Sequence, residues 1–341
     1  MKKLILNLLK ILLCFCYLQS VSANVNVISW WGYFSQDVIK ALGNKCNTTV
    51  SVDIYYSNAE FLRKMDKYKY SVAVFGNGSY DMIEKKIDSS SKHFNNVTNL
   101  YHKDVLKKFK KQKYYKNTAI FNMATSGFLY NADLMDINAN LSIKTIFDNA
   151  KKNKITLIDD LFETLKLISN GKNVSDLELN ESHFEQFLDL IKNKNVIITN
   201  DNIQHVKYQD FGFSLTWNGI AMKRILETPT SNLKFALHPE VSYIEYELVA
   251  PLSNHKNAIC VAQAIASPSI IEIVINKNYY YSPFGISNDI KNKAIIDANA
   301  EFFMVLESLK FLTVKKNKNY ANIINMWDKI KFFNNKKKEI E

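Results

Sequence analysis

Short apolar runs and amphipathic stretches alternate from residue 25 onward. "VNVISWW" (25–31) is rich in β-branched and aromatic residues and predicts a strand. "SQDVIKALGNK" (35–45) carries its apolar residues at helical spacing, with Gly43 near its end, and predicts a short amphipathic helix. "TTVSVDIYY" (48–56), "NAEFLRKMDKY" (58–68) and "YSVAVF" (70–75) continue as strand, helix and strand. That order and spacing imply a parallel α/β sheet. The pattern resumes with strands at 125–131, 154–158, 211–219 and 243–251, and helices at 161–171, 182–194 and 257–267. A long helical pattern follows residue 296 and runs into the basic tail "FFNNKKKEIE".

A chain of 341 residues exceeds one typical core and is expected to form two lobes. No repeat or low-complexity linker separates them, so the chain is expected to cross between lobes on strands, near 125–131 and 243–251. Two-lobed α/β proteins bind ligands in the cleft between lobes, at the carboxyl ends of strands.

Composition changes this picture mainly at the N-terminus. Apolar content of 47% and charged content of 23% fit a folded chain rather than a disordered one. In "MKKLILNLLKILLCFCYLQSVSAN", lysines precede the apolar run Ile11–Leu18, and Val21-Ser22-Ala23 follows as a small-residue cleavage site. This predicts a secretory leader over 1–23, cut near Ala23, with the product in the periplasm. The run is too short to span a bilayer. Leu13 and Phe15 precede Cys14 and Cys16, where lipid attachment needs a small residue, so no lipid anchor is expected. Loss of the leader's three lysines takes the formal net charge from +11 to +8. Cys46 and Cys260 remain, and their spacing alone leaves pairing open.

Catalytic signatures are missing. The six histidines show no i, i+4 or HExxH spacing and CxxC is absent, so neither metal nor cofactor is expected. "GNGSYD" (76–81) lacks the third glycine of a phosphate loop and reads as a turn. Ser79 and Ser126 have no GxSxG setting. "KKFKKQK" (107–113) reads as a solvated helix face, and export makes nucleic acid a poor partner. An exported enzyme is therefore the weakest reading.

Binding chemistry is better represented. In "LIDDLFETLKL" (157–167), Asp160 has the place of a helix N-cap and Glu163 that of its N3 partner. The same acids suit the anionic wall of a cation site. Trp30, Trp31 and Tyr33 follow the first strand, Trp217 ends another, and Tyr279, Tyr280 and Tyr281 precede Ser282-Pro283. Aromatic faces with carboxylates make a box for an organic ammonium group.

Taken in order over 25–290, these stretches resemble the periplasmic spermidine/putrescine-binding proteins of ABC importers. "ISWWGYFSQDVI" is similar to their N-W-x-x-Y opening, and "YYSNAEFLRKM" to their Y-x-S-N-E segment. "ATSGFLYN" resembles their lobe-crossing strand, and "LIDDLFETLKL" their D-D-x-R-E motif. "NDNIQ…FSLTWNGIAMKR" is similar to their S-D-N…W-N-G block and "YYYSPFG" to their G-Y-x-S/T-P-N turn. The resemblance implies an α/β, two-lobed type 2 periplasmic-binding-protein fold, with the ligand cleft between lobes and the strand crossovers as hinge. It places Trp30, Tyr33, Asp160, Glu163, Trp217 and Tyr280 on ligand-binding positions. It also implies a polyamine ligand, an inner-membrane ABC permease as partner, and a monomeric, non-catalytic receptor.

Departures fall at one end of the pocket. Ser71 replaces the aspartate of Y-D-V-V-x-P-S, and Gly76 and Gly78 stand where the family puts pocket side chains. The family's W-x-D falls on Ile244 and Tyr246 when aligned without gaps on Pro251. One inserted residue, a β-bulge, places it on Tyr243 and Glu245 and restores an aromatic and an acid at the family's spacing. The departures leave a different small ligand on the same fold as the alternative. The lobes are expected at 24–127 and 244–290 for the first and 128–243 for the second, with helices of 291–341 packing on the second.

Overall fold

Three parallel strands open the chain: β1 (Val25–Trp30), β2 (Val50–Tyr55) and β3 (Val72–Gly76), in the order β2-β1-β3. Helices α1 (Gln36–Cys46) and α2 (Asn58–Lys67) are the crossovers between them. The computed structural model describes residues 24–89, 93–150, 153–169, 171, 180–199, 211–229, 231–285, 293–311 and 324–332. Helix α2 starts where predicted because the Ser57 side chain accepts a hydrogen bond from the Glu60 backbone N–H. Strand alternation sorts the apolar residues into two layers. Val27, Val72 and Val74 face one, while Ile28, Ala73 and Phe75 face the other.

Strand β4 (Ala119–Asn131) is 13 residues long and buried along nearly its whole length. The sequence pattern had predicted only its second half, because "AIFNMA" shows no alternation. Both of its faces are covered, so polar residues such as Asn122 and Thr125 are buried with the apolar ones. Two further strands complete the second lobe's parallel row: β5 (Lys154–Leu157) and β6 (Asn195–Ile198). Strand β7 (Phe211–Trp217) pairs with β5, and β8 (Leu233–Ala236) with the end of β4. Strand β9 (Tyr243–Pro251) inserts antiparallel between β3 and β4, giving the sheet order β2-β1-β3-β9-β4-β7-β5-β6. Residues Ala119–Thr125 of β4 pair with β9, and Ser126–Tyr130 pair with β7. One continuous strand thus runs from one lobe into the other.

Each lobe has its own core. Phe128, Phe147, Ile155, Phe187, Phe213 and Leu215 fill the second, and full burial of one such side chain contributes about 1.5–3 kcal/mol. In the first lobe, helix α3 (Lys256–Ile265) packs on the sheet and Cys260 is disulfide-bonded to Cys46 at the end of α1, with Cα atoms 5.8 Å apart. The C-terminal expectation needs correction. Helix α4 (Lys293–Val305) adds Phe302 to a first-lobe core, whereas residues 324–332 add Trp327 and Ile330 to the second-lobe core. Two separate apolar faces of the C-terminal segment therefore dock on different lobes.

The bulge also lies elsewhere than expected. Register shifts between Ile120 and Asn122 of β4, not within β9. "GNGSYD" is a 3-10 turn over Asn77–Ser79 leading into helix, and the buried Asn77 side chain accepts the Tyr246 backbone N–H at 2.7 Å. The stretch 1–23 expected to be a leader, the "NDNIQ" segment at 200–204 and the tail at 333–341 lie outside the described residues. Among the described residues no single helix is long and apolar enough to cross a membrane.

Candidate functional site

A cavity of about 390 Å³ opens where the two lobes face each other. The turn after β1 forms one wall. Gly32 has φ +85°, a conformation that favours glycine, and this turn sends Trp31 outward and Tyr33 inward. Trp31 is 65% exposed and stacks on Tyr56 at 6.4 Å, making an aromatic rim. Tyr33 is buried edge-on against Tyr280, ring centroids 5.9 Å apart.

The opposite wall is the start of the short helix Leu161–Leu165. Asp160 Oδ1 accepts the Glu163 backbone N–H at 3.0 Å, and the Asp160 carbonyl accepts that of Thr164 at 2.9 Å. The predicted cap therefore forms, and Asp160 also lines the cavity. Its neighbour Asp159 turns toward the C-terminal helix, where Trp327 Nε1 donates to it at 3.1 Å and Lys331 pairs with it at 3.2 Å.

Glu163 is 1% exposed and receives the Lys166 ammonium at 2.6 Å. Lys166 Nζ also donates to Ser126 Oγ at 3.2 Å, and lies 4.5 Å from the Tyr243 ring centroid and 6.0 Å from that of Trp217. Burial pushes the Glu163 carboxyl above its ordinary value, and Lys166 opposes the shift.

Strand β9 supplies two more acids. Residues i and i+2 of a strand share a face, so Glu245 and Glu247 both reach the cavity, while Ile244 and Tyr246 enter the core. The Glu245 carboxyl occupies the space above Gly76, where a Cβ atom would meet its Cδ at 2.9 Å. Gly76 thus vacates a side-chain position that Glu245 fills. Burial, then repulsion from Glu163, pushes the Glu245 carboxyl up to about 8. Burial, then Glu245, pushes Glu247 well above the ordinary carboxyl range, against a hydrogen bond from Tyr33. Glu247 Oε2 is buried with no hydrogen-bond partner among the described residues.

Backbone approach at the helix Asn218–Glu227 sets the remaining wall. Asn218 is fully buried, and its Oδ1 accepts the Thr125 backbone N–H at 3.0 Å. This ties the strand crossing to the loop carrying Tyr280, because Asn218 Nδ2 donates to the Tyr279 carbonyl at 3.4 Å. Gly219 allows the contact, since a Cβ there would lie 2.9 Å from Tyr280 Cζ.

Seven of the eight predicted residues line the cavity: Trp30, Tyr33, Asp160, Glu163, Trp217, Glu245 and Tyr280. Tyr243 does not. It is 2% exposed and sits against Lys166 in the second-lobe core, because β10 (Lys310–Phe311) and β4 cover that end of β9. Glu247, Lys166, Lys223 and Lys277 were missed. Glu247 was readable from its i+2 spacing to Glu245, and Lys166 from its i+3 spacing to Glu163. Among the described residues no group of three or more His, Cys, Asp or Glu is placed to hold a metal ion.

The same architecture occurs in solved proteins. The structure of PotD, a spermidine/putrescine ABC transporter substrate-binding protein of Streptococcus pneumoniae, matches with TM-score 0.67 and 15% identity, covering 91% of this chain and 99% of that one. The fold is the type 2 solute-binding fold. The Tp0655 (TpPotD) lipoprotein of Treponema pallidum has it too, with TM-score 0.69, 13% identity and coverage of 91% and 99%. A periplasmic thiamin binding protein matches with TM-score 0.63, 14% identity and coverage of 92% and 98%. No family model matches the chain, and no curated protein matches it by sequence. In a type 2 solute-binding fold the cavity described above is the interlobe cleft.

Proposed function

We propose that the protein is an extracytoplasmic solute-binding receptor of an ABC importer, and that its ligand is a small organic ammonium compound of the polyamine class. The observation that carries this reading is one cavity walled by acids and aromatic faces from both lobes. An ammonium group entering it meets Asp160 from the second lobe and Glu245 from the first, with Trp30, Tyr33, Trp217 and Tyr280 around its methylene chain. Each aromatic face contributes about 0.5–2 kcal/mol to a cation, and the carboxylates supply charge-assisted hydrogen bonds. Contacts from both lobes to one ligand favour the closed arrangement over the open one, which is the population shift a permease reads. Capture, hinge closure at the strand crossings and docking need no covalent step.

Export through the leader at 1–23 and action as a monomer in the periplasm belong to the same proposal. Lys223 and Lys277, which share the cavity wall, support a second reading in which a different small ligand, one bearing an acid group, fills the cleft. Calorimetry of the purified protein against amines, amino acids and sugars separates the two. Spermidine or putrescine binding, with a smaller radius of gyration in solution scattering at saturation, is the expected result. Binding of an amino acid or sugar with no amine response would overturn the polyamine reading.

A further inference from the structure

We infer that the Lys166 ammonium occupies an ammonium seat built from Glu163, Ser126, Tyr243 and Trp217, so that the ligand itself brings one positive charge rather than two or three. The inference rests on the amine-receptor reading and narrows it from the polyamines to compounds with a single ammonium group. A Glu–Lys pair at i, i+3 is ordinary on a helix surface, where it contributes little. Here both side chains are almost fully buried, at 0% and 2% exposure. Burying such a pair strips hydration from both ions, a cost that stability alone does not account for. What surrounds the Nζ is the surrounding of a bound amine: a carboxylate at 2.6 Å, a hydroxyl at 3.2 Å and an aromatic face at 4.5 Å. The lysine stem plays the part of a ligand's alkyl chain, tethered from behind the cavity wall.

The open part of the cleft agrees. Lys223 and Lys277 share the wall with Asp160, Glu245 and Glu247, and Lys331 already pairs with Asp159. With Lys166 seated on Glu163, a second or third ammonium group on the ligand would lie close to like charges in a part-buried space.

Two measurements test the seat. First, putrescine is compared by calorimetry with 4-aminobutanol, which keeps the chain but replaces one ammonium by a hydroxyl. Wild type is expected to favour 4-aminobutanol by at least about tenfold, and Lys166→Met to reverse the preference by a similar factor. An unchanged ratio in a folded Lys166→Met protein would overturn the inference. Second, Lys166→Ala removes the atoms of an n-propylammonium ion. Thermal unfolding with n-propylammonium chloride is expected to raise the variant's Tm by several degrees more than that of wild type, and more than n-propanol does. Equal shifts, or a match by n-propanol, would overturn the seat. Should no amine bind the cleft of wild type while n-propylammonium still restores Lys166→Ala, the receptor reading fails and the seat stands. Should Lys166→Ala not fold, the Lys166→Met ratio decides.

Discussion

The two ends of the cleft use the same residue types in opposite ways. At the second-lobe end, Asp160 caps a helix and Glu163 is paired with Lys166. At the first-lobe end, Glu245 and Glu247 lie on one strand face among the tyrosines 33, 55 and 280, and among the described residues neither forms a salt bridge. A helix N-terminus favours the ionised Asp160 and Lys166 opposes the rise that burial gives Glu163, whereas burial and mutual repulsion push Glu245 and Glu247 up. The charge of the cleft is thus set by environment more than by composition, and a cation entering it would be met by Asp160 while driving protons from the other end.

The largest effect expected to test this contrast comes from Asp160→Asn. Asn caps a helix as well as Asp, so thermal unfolding should change little. Losing one partner of a buried ion pair costs about 3–5 kcal/mol, so the affinity for an amine should fall by about a hundred- to several-thousand-fold. Equal affinity in two well-folded proteins would leave Asp160 as a cap only.

Next in size is the response to pH. Glu245 holds its proton up to about 8 when folded and releases it near its ordinary 4.5 when unfolded. The unfolded chain therefore binds fewer protons between these values, and stability should fall as pH rises from about 5 to about 8. Amine affinity should move the other way, rising by up to about tenfold per pH unit for each proton displaced. Glu245→Gln should flatten both profiles; a variant with unchanged profiles would show that the first-lobe acids do not titrate in this window.

Trp217→Ala is expected to weaken binding by about 2- to 30-fold, the range of a single cation–π face. Asp159→Asn should do least. Its carboxylate already meets Trp327 and Lys331, and such a part-exposed pair contributes about 0–1 kcal/mol, so affinity should stay within about threefold. A loss as large as that of Asp160→Asn would mean that the two adjacent aspartates act together on the ligand.

The alternation of apolar and polar residues carried most of the first lobe, because β1 to β3 and their helices are covered on a regular rhythm. It missed the first half of β4, which is buried on both faces and has no rhythm to read. The pattern also extends the strand 211–219 over Asn218 and Gly219, which instead start the helix Asn218–Glu227. In the site, residues at strand ends were legible because their positions follow from topology. Lys166 was legible as the i+3 partner of Glu163 but not as a neighbour of Tyr243 and Trp217, which lie 77 and 51 residues further on and meet it only through the packing of β4, β7 and β9. Tyr243 was misassigned for the same reason: its place beside Glu245 was right, but what covers it comes from distant chain.

Strand β9 and Cys260 have a consequence for how the molecule is made. The middle of the first-lobe sheet, between β3 and β4, stays vacant until residues 243–251 have emerged, and Cys46 waits for a partner 214 residues behind it. At ordinary translation rates that is about 10–40 s during which the N-terminal third carries an unfilled sheet and an unpaired thiol. The second-lobe core waits longer still, for Trp327 and Ile330 of residues 324–332. The Cys46–Cys260 bond therefore forms late in the chain's production.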